Sequence, residues 1–179
     1  MRADAGAAPG AGAGPVLATR AATRDDLPAV LRTETDSFST PWSLRTFEAL
    51  LGRDTVSFQV LEAEGEVAGH GVLWWVGPEA EVANLAVAPE FRGRQGGALL
   101  LDALLAAASV RGVETVFLEV RESNRPARSL YATRGFVPVG RRPQYYQNPP
   151  EDAVVMNLDL SSETSLTSHP DLISDSRAP

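Results

Sequence analysis

One segment near the middle of the chain, residues 115–136, reads TVFLEVRESNRPARSLYATRGF. It begins with an apolar strand that closes at Glu119, passes through a turn that contains Asn124, and enters a short helix that carries Tyr131. Gly135 ends this helix and leads into the next strand. The order brings a proton acceptor and a proton donor to one edge of a sheet, on either side of a chain crossing.

A second segment, residues 85–97, reads LAVAPEFRGRQGG and runs from a strand through a Gly/Arg turn into a helix. A ligand with phosphate groups needs converging backbone N–H groups and no side chains in the way, and glycines at a helix start provide both. Such turns are common before helices, so the turn by itself fits an ordinary loop equally well. The strand that ends at Val87, directly before the turn, favours a phosphate-binding loop.

Hydrophobic spacing predicts one domain at residues 16–160. The predicted elements, in chain order, are strand 16–22, a helix capped by Thr23, helix 43–51, strands 55–63, 67–76 and 82–87, helix 97–111, strand 115–120, helix 125–134, and strands 136–141 and 153–160. Hairpins at the front and a β-α-β-α-β run behind indicate an α+β fold with one mixed sheet of seven strands and about four helices. Helix 97–111 is apolar nearly all round, which predicts burial on most sides.

The composition excludes several kinds of site. The 179 residues include no cysteine, which excludes disulfides, thiolate chemistry and cysteine-based zinc sites. Two histidines are too few for a His-rich metal site, so we expect no metal. The net charge of −7 argues against nucleic acid as a partner and fits a basic substrate better, through long-range attraction.

The apolar segments of the chain do not indicate a membrane protein. The longest apolar run, residues 99–110, is interrupted by Asp102 and Ser109 and falls short of the ~20 residues of a membrane span. Residues 1–15 are rich in Ala, Gly and Pro and make a poor secretory signal, while residues 161–179 are rich in Ser, Thr, Asp and Pro. We therefore expect a cytoplasmic protein with two disordered tails, and we favour a monomer.

Three further segments complete a family pattern. Residues 141–146 read RRPQYY, residues 151–156 read EDAVVM, and residues 41–43 read PWS. Together with residues 85–97 and 115–136, these segments resemble the GCN5-related N-acetyltransferases (GNAT). Within that family they are most similar to the RimI group, which acetylates the N-terminal alanine of ribosomal protein S18. The resemblance covers the whole predicted domain.

The resemblance implies the GNAT fold and acetyl-CoA as cosubstrate. The family splays two central parallel strands apart so that the thioester enters the gap, and here these are strands 82–87 and 115–120. In the family a Gln/Arg-x-x-Gly-x-Gly/Ala motif holds the pyrophosphate. When the motif is aligned with this sequence without a gap, Arg92 is its first residue and Gln95 stands in place of its first glycine. When the alignment is shifted by one residue, the opening arginine is lost. The residues implied to bind coenzyme A are Leu85, Ala86, Val87, Arg92, Gly93, Arg94, Gln95, Gly96, Gly97, Ala98 and Asn124. The strand residues could equally be plain core, and the asparagine could be only a helix cap.

The same resemblance implies a catalytic pair. Glu119 would accept the proton of the attacking amine, directly or through a water, and Tyr131 would give its proton to the departing thiolate. A backbone N–H near Val87 would stabilise the oxyanion. The alternatives for the glutamate are a surface position or an ion pair with Arg121. The alternative for the tyrosine is core packing with its hydroxyl at the rim.

For the acceptor, the resemblance implies that Trp42, Tyr145 and Tyr146 wall a slot for a protein N-terminus. Strand alternation predicts that only one of the two tyrosines points at the substrate, and it assigns Trp74 and Trp75 to core and surface. An α-amino group with a pKa of about 8 costs about 3 kcal/mol less to deprotonate than a lysine with a pKa of about 10.4, which favours an N-terminus. Internal lysines, a small-molecule amine, and a coenzyme A-binding sensor without turnover remain as alternatives.

Overall fold

Seven strands and four α-helices lie along residues 16–161, the part of the chain that the computed structural model describes. The elements are β1 (Leu17–Ala21), α1 (Leu27–Ser37), α2 (Leu44–Leu50), β2 (Val56–Ala63), β3 (Glu66–Val76), β4 (Glu79–Val87), α3 (Gly96–Val110), β5 (Thr115–Arg121), α4 (Arg125–Thr133), β6 (Val137–Gln147) and β7 (Pro150–Asp159). The predicted tails, residues 1–15 and 161–179, lie outside the described residues except for Ser161.

The sequence predicted the type and order of these elements correctly, but β4, β6 and β7 are longer than predicted, and β7 begins at Pro150 instead of residue 153. β4 begins at Glu79 instead of residue 82, and its first residues alternate exposed or half-buried glutamates with the buried Ala80 and Val82. β6 continues to Gln147 because it pairs with β7 along most of its length. Nearly all of its residues are exposed, so no apolar alternation marks it in the sequence.

The seven strands form one sheet in the order β1-β2-β3-β4-β5-β7-β6. Every neighbouring pair is antiparallel except β4 and β5, which run parallel at the centre. The last strand of the chain, β7, inserts between β5 and β6. The sheet is therefore mixed, as predicted.

The parallel pair at the centre stays together over only part of its length. β4 pairs with β5 at Glu79–Val82 and Thr115–Leu118, and beyond these residues the two strands separate. The register between β3 and β4 shifts at the same place, which leaves Ala83 as an extra residue in β4. A bulge of this kind bends a strand and increases its twist. We call this separation the fork; it confirms the predicted splayed strands.

Helices cover both faces of the sheet. On one face, Leu104 of α3 and Tyr131 of α4 pack with Leu118 of β5 in the larger apolar cluster. On the other face, Val30 of α1 and Phe47 of α2 form a second cluster over β2 and β3. Side chains of β5 alternate between the faces, so only one side of this strand contributes to the larger cluster.

The main helix, α3, is not buried on most sides, contrary to the prediction. Leu100, Leu101 and Leu104 are buried, whereas Leu99 and Val110 are exposed. A helix that lies on the outer surface of a sheet buries only the stripe that faces the sheet, whatever its composition. No helix within residues 16–161 is long and apolar enough to cross a membrane.

Asp26 joins β1 to the first helix. Its carboxylate accepts two hydrogen bonds from the Arg20 guanidinium, at 2.7 and 2.8 Å. It also accepts bonds from the backbone N–H and the hydroxyl of Thr23, at 2.7 and 2.9 Å, as the predicted cap requires. The bond with Arg20 is the main cause that lowers the pKa of Asp26 to about 2.

We predict that Asp26→Asn lowers the free energy of unfolding by about 1–2 kcal/mol at neutral pH. Because the pKa of Asp26 is lower in the folded state, its contribution is complete above the unfolded value of 3.8 and is lost as the pH falls toward 2. Urea unfolding at pH 7 and pH 3 measures this. A difference between parent and variant that stays constant down to pH 3 contradicts the assignment.

Candidate active site

A cavity of about 350 Å³ lies over the last paired residues of β4 and β5. Its wall includes side chains of β3, β4, β5, β6 and β7: Trp74, Val76, Glu79, Ala80, Glu81, Phe117, Leu118, Glu119, Arg142 and Val155. Three glutamates and one arginine are its charged residues, so the cavity is acidic. This charge attracts a cationic ligand such as an ammonium group.

Glu119 is the first residue of β5 that no longer pairs with β4, at the start of the fork. Its side chain is 13% exposed and lies on the cavity wall. Its Oε1 lies 2.9 Å from Nη1 of Arg142, and its carboxylate also accepts a hydrogen bond from the hydroxyl of Tyr145. The ion pair with Arg121 that the sequence left open is not formed, because Arg121 pairs with Glu151 at 3.2 Å.

Tyr131 lies inside the larger apolar cluster, on α4. Its ring packs against Phe136 with centroids 5.9 Å apart, and the residue is 8% exposed. Burial raises the pKa of Tyr131 to about 12, with a smaller contribution from Tyr146. The phenol therefore keeps its proton at neutral pH, which a proton donor requires.

Glu119 raises the pKa of both Tyr145 and Tyr146, so both lie near this carboxylate; that only one of them points at the substrate stays a prediction. β6 loses its register with β7 between Arg142 and Tyr146, and Gln144 has a positive φ of 50°. The irregular stretch brings the two rings edge to face, with centroids 5.2 Å apart. The hydrogen bond to Glu119 is the main cause that raises the pKa of Tyr145 to about 12.

Tyr146 is half-buried beside Arg121. Its ring lies under the Arg121 guanidinium, 4.2 Å from centroid to Cζ. Burial is the main cause that raises the pKa of Tyr146, and the charge of Glu119 raises it further. Tyr146 makes a smaller contribution to the raised pKa of Tyr131. That Glu119 and Tyr131 act together on one thioester stays a prediction.

Two tryptophans stand on the α1–α2 side of the cavity. The Trp42 ring stacks on Trp74 with centroids 6.0 Å apart and planes 5° apart. Trp74 lines the cavity and donates from Nε1 to Glu81 at 3.2 Å, while Trp42 lies behind it in the smaller apolar cluster. The assignment of Trp74 and Trp75 to core and surface is wrong, because both are half-buried.

The predicted phosphate-binding loop lies between β4 and α3. The first hydrogen bond of α3 runs from Leu99 N to Gln95 O at 3.0 Å, and the N–H groups of residues 93–98 have no acceptor within the described chain. Gly93 and Gln95 both have positive φ, 73° and 65°. Six free N–H groups at the start of a helix are suited to bind a phosphate. Gln95 bears the strain of a left-handed conformation, which the family's glycine would avoid.

Gly96 is required because another side chain lies too close for a Cβ, and not because of its backbone φ. A Cβ at this position would lie 2.5 Å from Cδ2 of Leu61, a fully buried side chain. At Gly97 a Cβ would lie 3.3 Å from Cδ2 of Leu130 on α4. These two glycines let the start of α3 sit directly on the sheet, at the open end of the fork.

The two arginines of the loop contact the protein itself. Nε of Arg92 donates to the carbonyl of Val87 at 2.8 Å, and its Nη2 donates to the hydroxyl of Ser37 at 3.1 Å. Arg94 lies over the ring of Phe91, 5.9 Å from its centroid. Arg92 therefore ties the loop to the end of β4 and of α1, and its contact with the pyrophosphate stays a prediction.

The remaining predicted coenzyme contacts lie at the fork. Leu85, Ala86 and Val87 form the end of β4, which pairs with β3 on one side and has separated from β5 on the other. Asn124 caps α4, because its Oδ1 accepts from Ala127 N at 3.2 Å. The cap does not use the amide nitrogen of Asn124, so a coenzyme contact stays a prediction. Within residues 16–161 no cluster of three acidic or histidine side chains could hold a metal ion.

A model of the acetyltransferase (GNAT) family matches residues 27–136. The chain belongs to this family. Ribosomal protein bS18-alanine N-acetyltransferase of Escherichia coli (strain K12) is 36% identical over 138 residues, which are 76% of this chain and 93% of that protein. This GNAT chain is accordingly an acetyl-CoA-dependent N-acetyltransferase.

Solved structures of GNAT proteins share the fold. The ribosomal-protein-S18-alanine N-acetyltransferase from Escherichia coli superposes with a TM-score of 0.75 at 33% identity, over 82% of this chain and 95% of that one. Ard1 from Thermoplasma volcanium superposes with a TM-score of 0.73 at 27% identity, over 80% and 97%. The resemblance seen in the sequence is confirmed.

Of the ten residues that line the cavity, sequence reasoning assigned only Glu119 to the site, and two of those that it missed contact other residues of the site. Arg142 was noted only as part of a basic pair, yet it is the ion-pair partner of Glu119. Trp74 was assigned by alternation alone, yet it forms one wall. The sequence did contain a signal for Arg142. It is a basic residue in β6, near the hairpin to β7, and β7 lies beside β5, which carries Glu119.

We predict that Gly96→Ala weakens coenzyme A binding about tenfold, comparable with the loss of one hydrogen bond to a charged group. The added Cβ meets buried Leu61 at 2.5 Å and pushes the start of α3 away from the sheet. Titration calorimetry with coenzyme A measures the change. Gly140→Ala is the matched control, because its Cβ meets only an ordinary contact of 3.9 Å. Equal affinity of Gly96→Ala and parent contradicts the assignment of the loop.

Proposed function

We propose that the protein transfers the acetyl group of acetyl-CoA to the α-amino group of a protein N-terminus, with the N-terminal alanine of ribosomal protein S18 as its substrate. The observation that carries the proposal is the position of Glu119, at the start of the fork and on the wall of an acidic cavity. Relatives named for S18-alanine acetylation support the target, since they match over nearly their whole length. A ribosomal substrate implies that the protein acts in the cytoplasm.

The fork and the phosphate-binding loop together form the proposed coenzyme site. The pyrophosphate accepts hydrogen bonds from the free N–H groups of residues 93–98. The pantetheine arm follows the edge of Leu85–Val87 that β5 leaves unpaired, and its amides take the place of the missing strand. This path brings the thioester between the separated strands, next to Glu119.

Glu119 is the proposed general base. At pH 7 roughly a tenth of an α-amino group with a pKa of about 8 is already neutral, so one carboxylate suffices to remove the remaining proton. Arg142 and Tyr145 fix the orientation of this carboxylate through an ion pair and a hydrogen bond. A lysine ammonium is harder to deprotonate, which favours an N-terminal acceptor.

Tyr131 is the proposed general acid. Attack of the amine on the thioester gives a tetrahedral oxyanion, which a backbone N–H near Val87 stabilises. When the C–S bond breaks, the phenol of Tyr131 gives its proton to the departing thiolate, and coenzyme A leaves as the thiol. The raised pKa of about 12 keeps this proton in place before the reaction.

The cavity is the proposed slot for the acceptor peptide. The ammonium group enters an acidic environment, and Arg142 and Val155 form the wall on the β6–β7 side. Tyr145 and Tyr146 lie outside this lining, next to Glu119, and would border the acceptor from there. Trp42 acts on the opposite wall through Trp74, on which it stacks. The acidic character favours a basic N-terminal segment over an acidic one.

A peptide with the N-terminal sequence of S18 tests the function directly. We expect a mass gain of one acetyl group on its α-amine, located by fragmentation, and none on the same peptide with a blocked N-terminus. Acetylation of lysines in the blocked peptide would favour an internal-lysine enzyme. Coenzyme A binding without acetylation of any peptide or small amine would favour a sensor.

We predict that Glu119→Gln and Tyr131→Phe each lower kcat by roughly 10²-fold or more, because each removes one proton-transfer step. Coenzyme A affinity should stay close to that of the parent, since the loop N–H groups and the unpaired edge of β4 supply most of the proposed coenzyme contacts. Steady-state kinetics and calorimetry measure the two quantities. Variants as active as the parent would remove both proposed roles.

A further inference from the structure

A buried carboxylate on α1 faces the sheet next to the fork. Glu34 is 1% exposed, and its Oε1 accepts the backbone N–H of Trp42 at 2.8 Å. Nδ2 of Asn84 lies 3.1 Å from both of its oxygens, and Nε2 of His70 lies 3.1 Å from Oε2. One carboxylate thus joins three segments: the α1–α2 loop, β3 and β4.

The arrangement of this cluster leaves polar atoms unsatisfied. His70 is 0% exposed and Asn84 is 7% exposed. Within the described chain, Nδ1 of His70 and Oδ1 of Asn84 are buried without a hydrogen-bond partner. Each of these two side chains points one nitrogen at Glu34, and its other polar atom is left without a hydrogen bond within the described chain. Stability alone does not account for a buried carboxylate with such partners, because a well-packed apolar cluster is commonly at least as stable.

Asn84 lies directly after the residue that opens the fork. It pairs with Val72 of β3, and the next pair joins Leu73 to Val82, so that Ala83 between them bulges. Beyond Val82, β4 has no partner on the β5 side. The two hydrogen bonds from Asn84 to Glu34 hold this half of β4 against α1, where no strand on the other side restrains it.

The third bond of Glu34 reaches the wall of the acceptor cavity. The N–H of Trp42 is fixed at 2.8 Å from Oε1, and its ring stacks on Trp74. Trp74 lines the cavity that contains Glu119. The same carboxylate therefore contacts both sides of the site, the free half of β4 and the tryptophan wall.

We propose that Glu34 is a positioning residue that, through Asn84, holds the fork open for the thioester and, through Trp42, sets the wall of the acceptor cavity. The part of this inference that concerns acetyl transfer rests on the proposed function; the part that concerns coenzyme binding does not. Directional hydrogen bonds fix the end of β4 more closely than apolar packing does, and small displacements of reacting groups lower rates strongly.

Glu34→Gln and Asn84→Ala test the inference. Glutamine offers one acceptor oxygen where the carboxylate offers two, so the bonds to Trp42, His70 and Asn84 cannot all form. Asn84→Ala cuts the bond from the strand side and leaves the other two partners of Glu34 in place. We expect each variant to weaken coenzyme A binding about threefold to tenfold and to lower kcat/KM about tenfold to a hundredfold. Because Glu34 and Asn84 act on β4 through the same pair of hydrogen bonds, the double variant should lose little more than either single variant.

Asp26→Asn is the matched control, since Asp26 is also a buried carboxylate with several hydrogen bonds but lies away from the fork. It should lose stability and keep the coenzyme affinity and the kcat/KM of the parent, measured well below its unfolding temperature. If Glu34→Gln only loses stability, as this control does, the inference is wrong. It is also wrong if Asn84→Ala binds coenzyme A like the parent, or if the losses of the two variants simply add.

Should the parent acetylate no peptide, the proposed function fails, but coenzyme A affinity still decides the inference. Calorimetry of the two single variants, the double variant and the control needs no acceptor. Weaker binding in the Glu34 and Asn84 variants alone supports the positioning role. Unchanged binding in all of them overturns it.

Discussion

The loss of hydrogen bonding between β4 and β5 beyond Val82 and Leu118 is the constraint on which the site depends. Backbone N–H and C=O groups rarely stay without partners, and a strand edge in the middle of a sheet invites one. Here the opening starts at the bulge at Ala83 and leads to a loop with six free N–H groups. A ligand that carries amides and phosphates on one flexible arm matches both features.

In the proposed mechanism, cosubstrate and acceptor meet at strand ends. β4 leads into the predicted phosphate-binding loop, and Glu119 is the first residue of β5 that has separated from β4, so the two proposed halves of the chemistry come from neighbouring strands. The third contribution comes from the β6–β7 hairpin, which supplies Arg142 and Tyr145 to Glu119. The hairpin reaches the site because β7 inserts beside β5, which places distant parts of the chain next to each other.

Local sequence patterns predicted the elements and the Gly/Arg loop, because each depends on alternation, helical spacing or glycine within one segment. The splayed strands were implied by the family resemblance. Contacts between side chains of distant segments could not be predicted from such local patterns. Arg92 binds the carbonyl of Val87, Arg142 pairs with Glu119, and Glu34 gathers partners from three segments. Alternation is a weak guide at Tyr145, because β6 loses its register with β7 there. The residue roles in catalysis and coenzyme binding remain predictions that rest on this geometry.

Hydrogen–deuterium exchange of the protein with and without saturating coenzyme A tests the central claim most directly, because exchange reports which backbone N–H groups gain a partner. The account predicts slower exchange in residues 83–87, where one edge of β4 is unpaired, and in residues 93–98, whose N–H groups have no acceptor within the described residues. It predicts no change in β1 and β2 at the far edge of the sheet. Tight coenzyme A binding without slower exchange in either segment would contradict the claim that the fork is the coenzyme site.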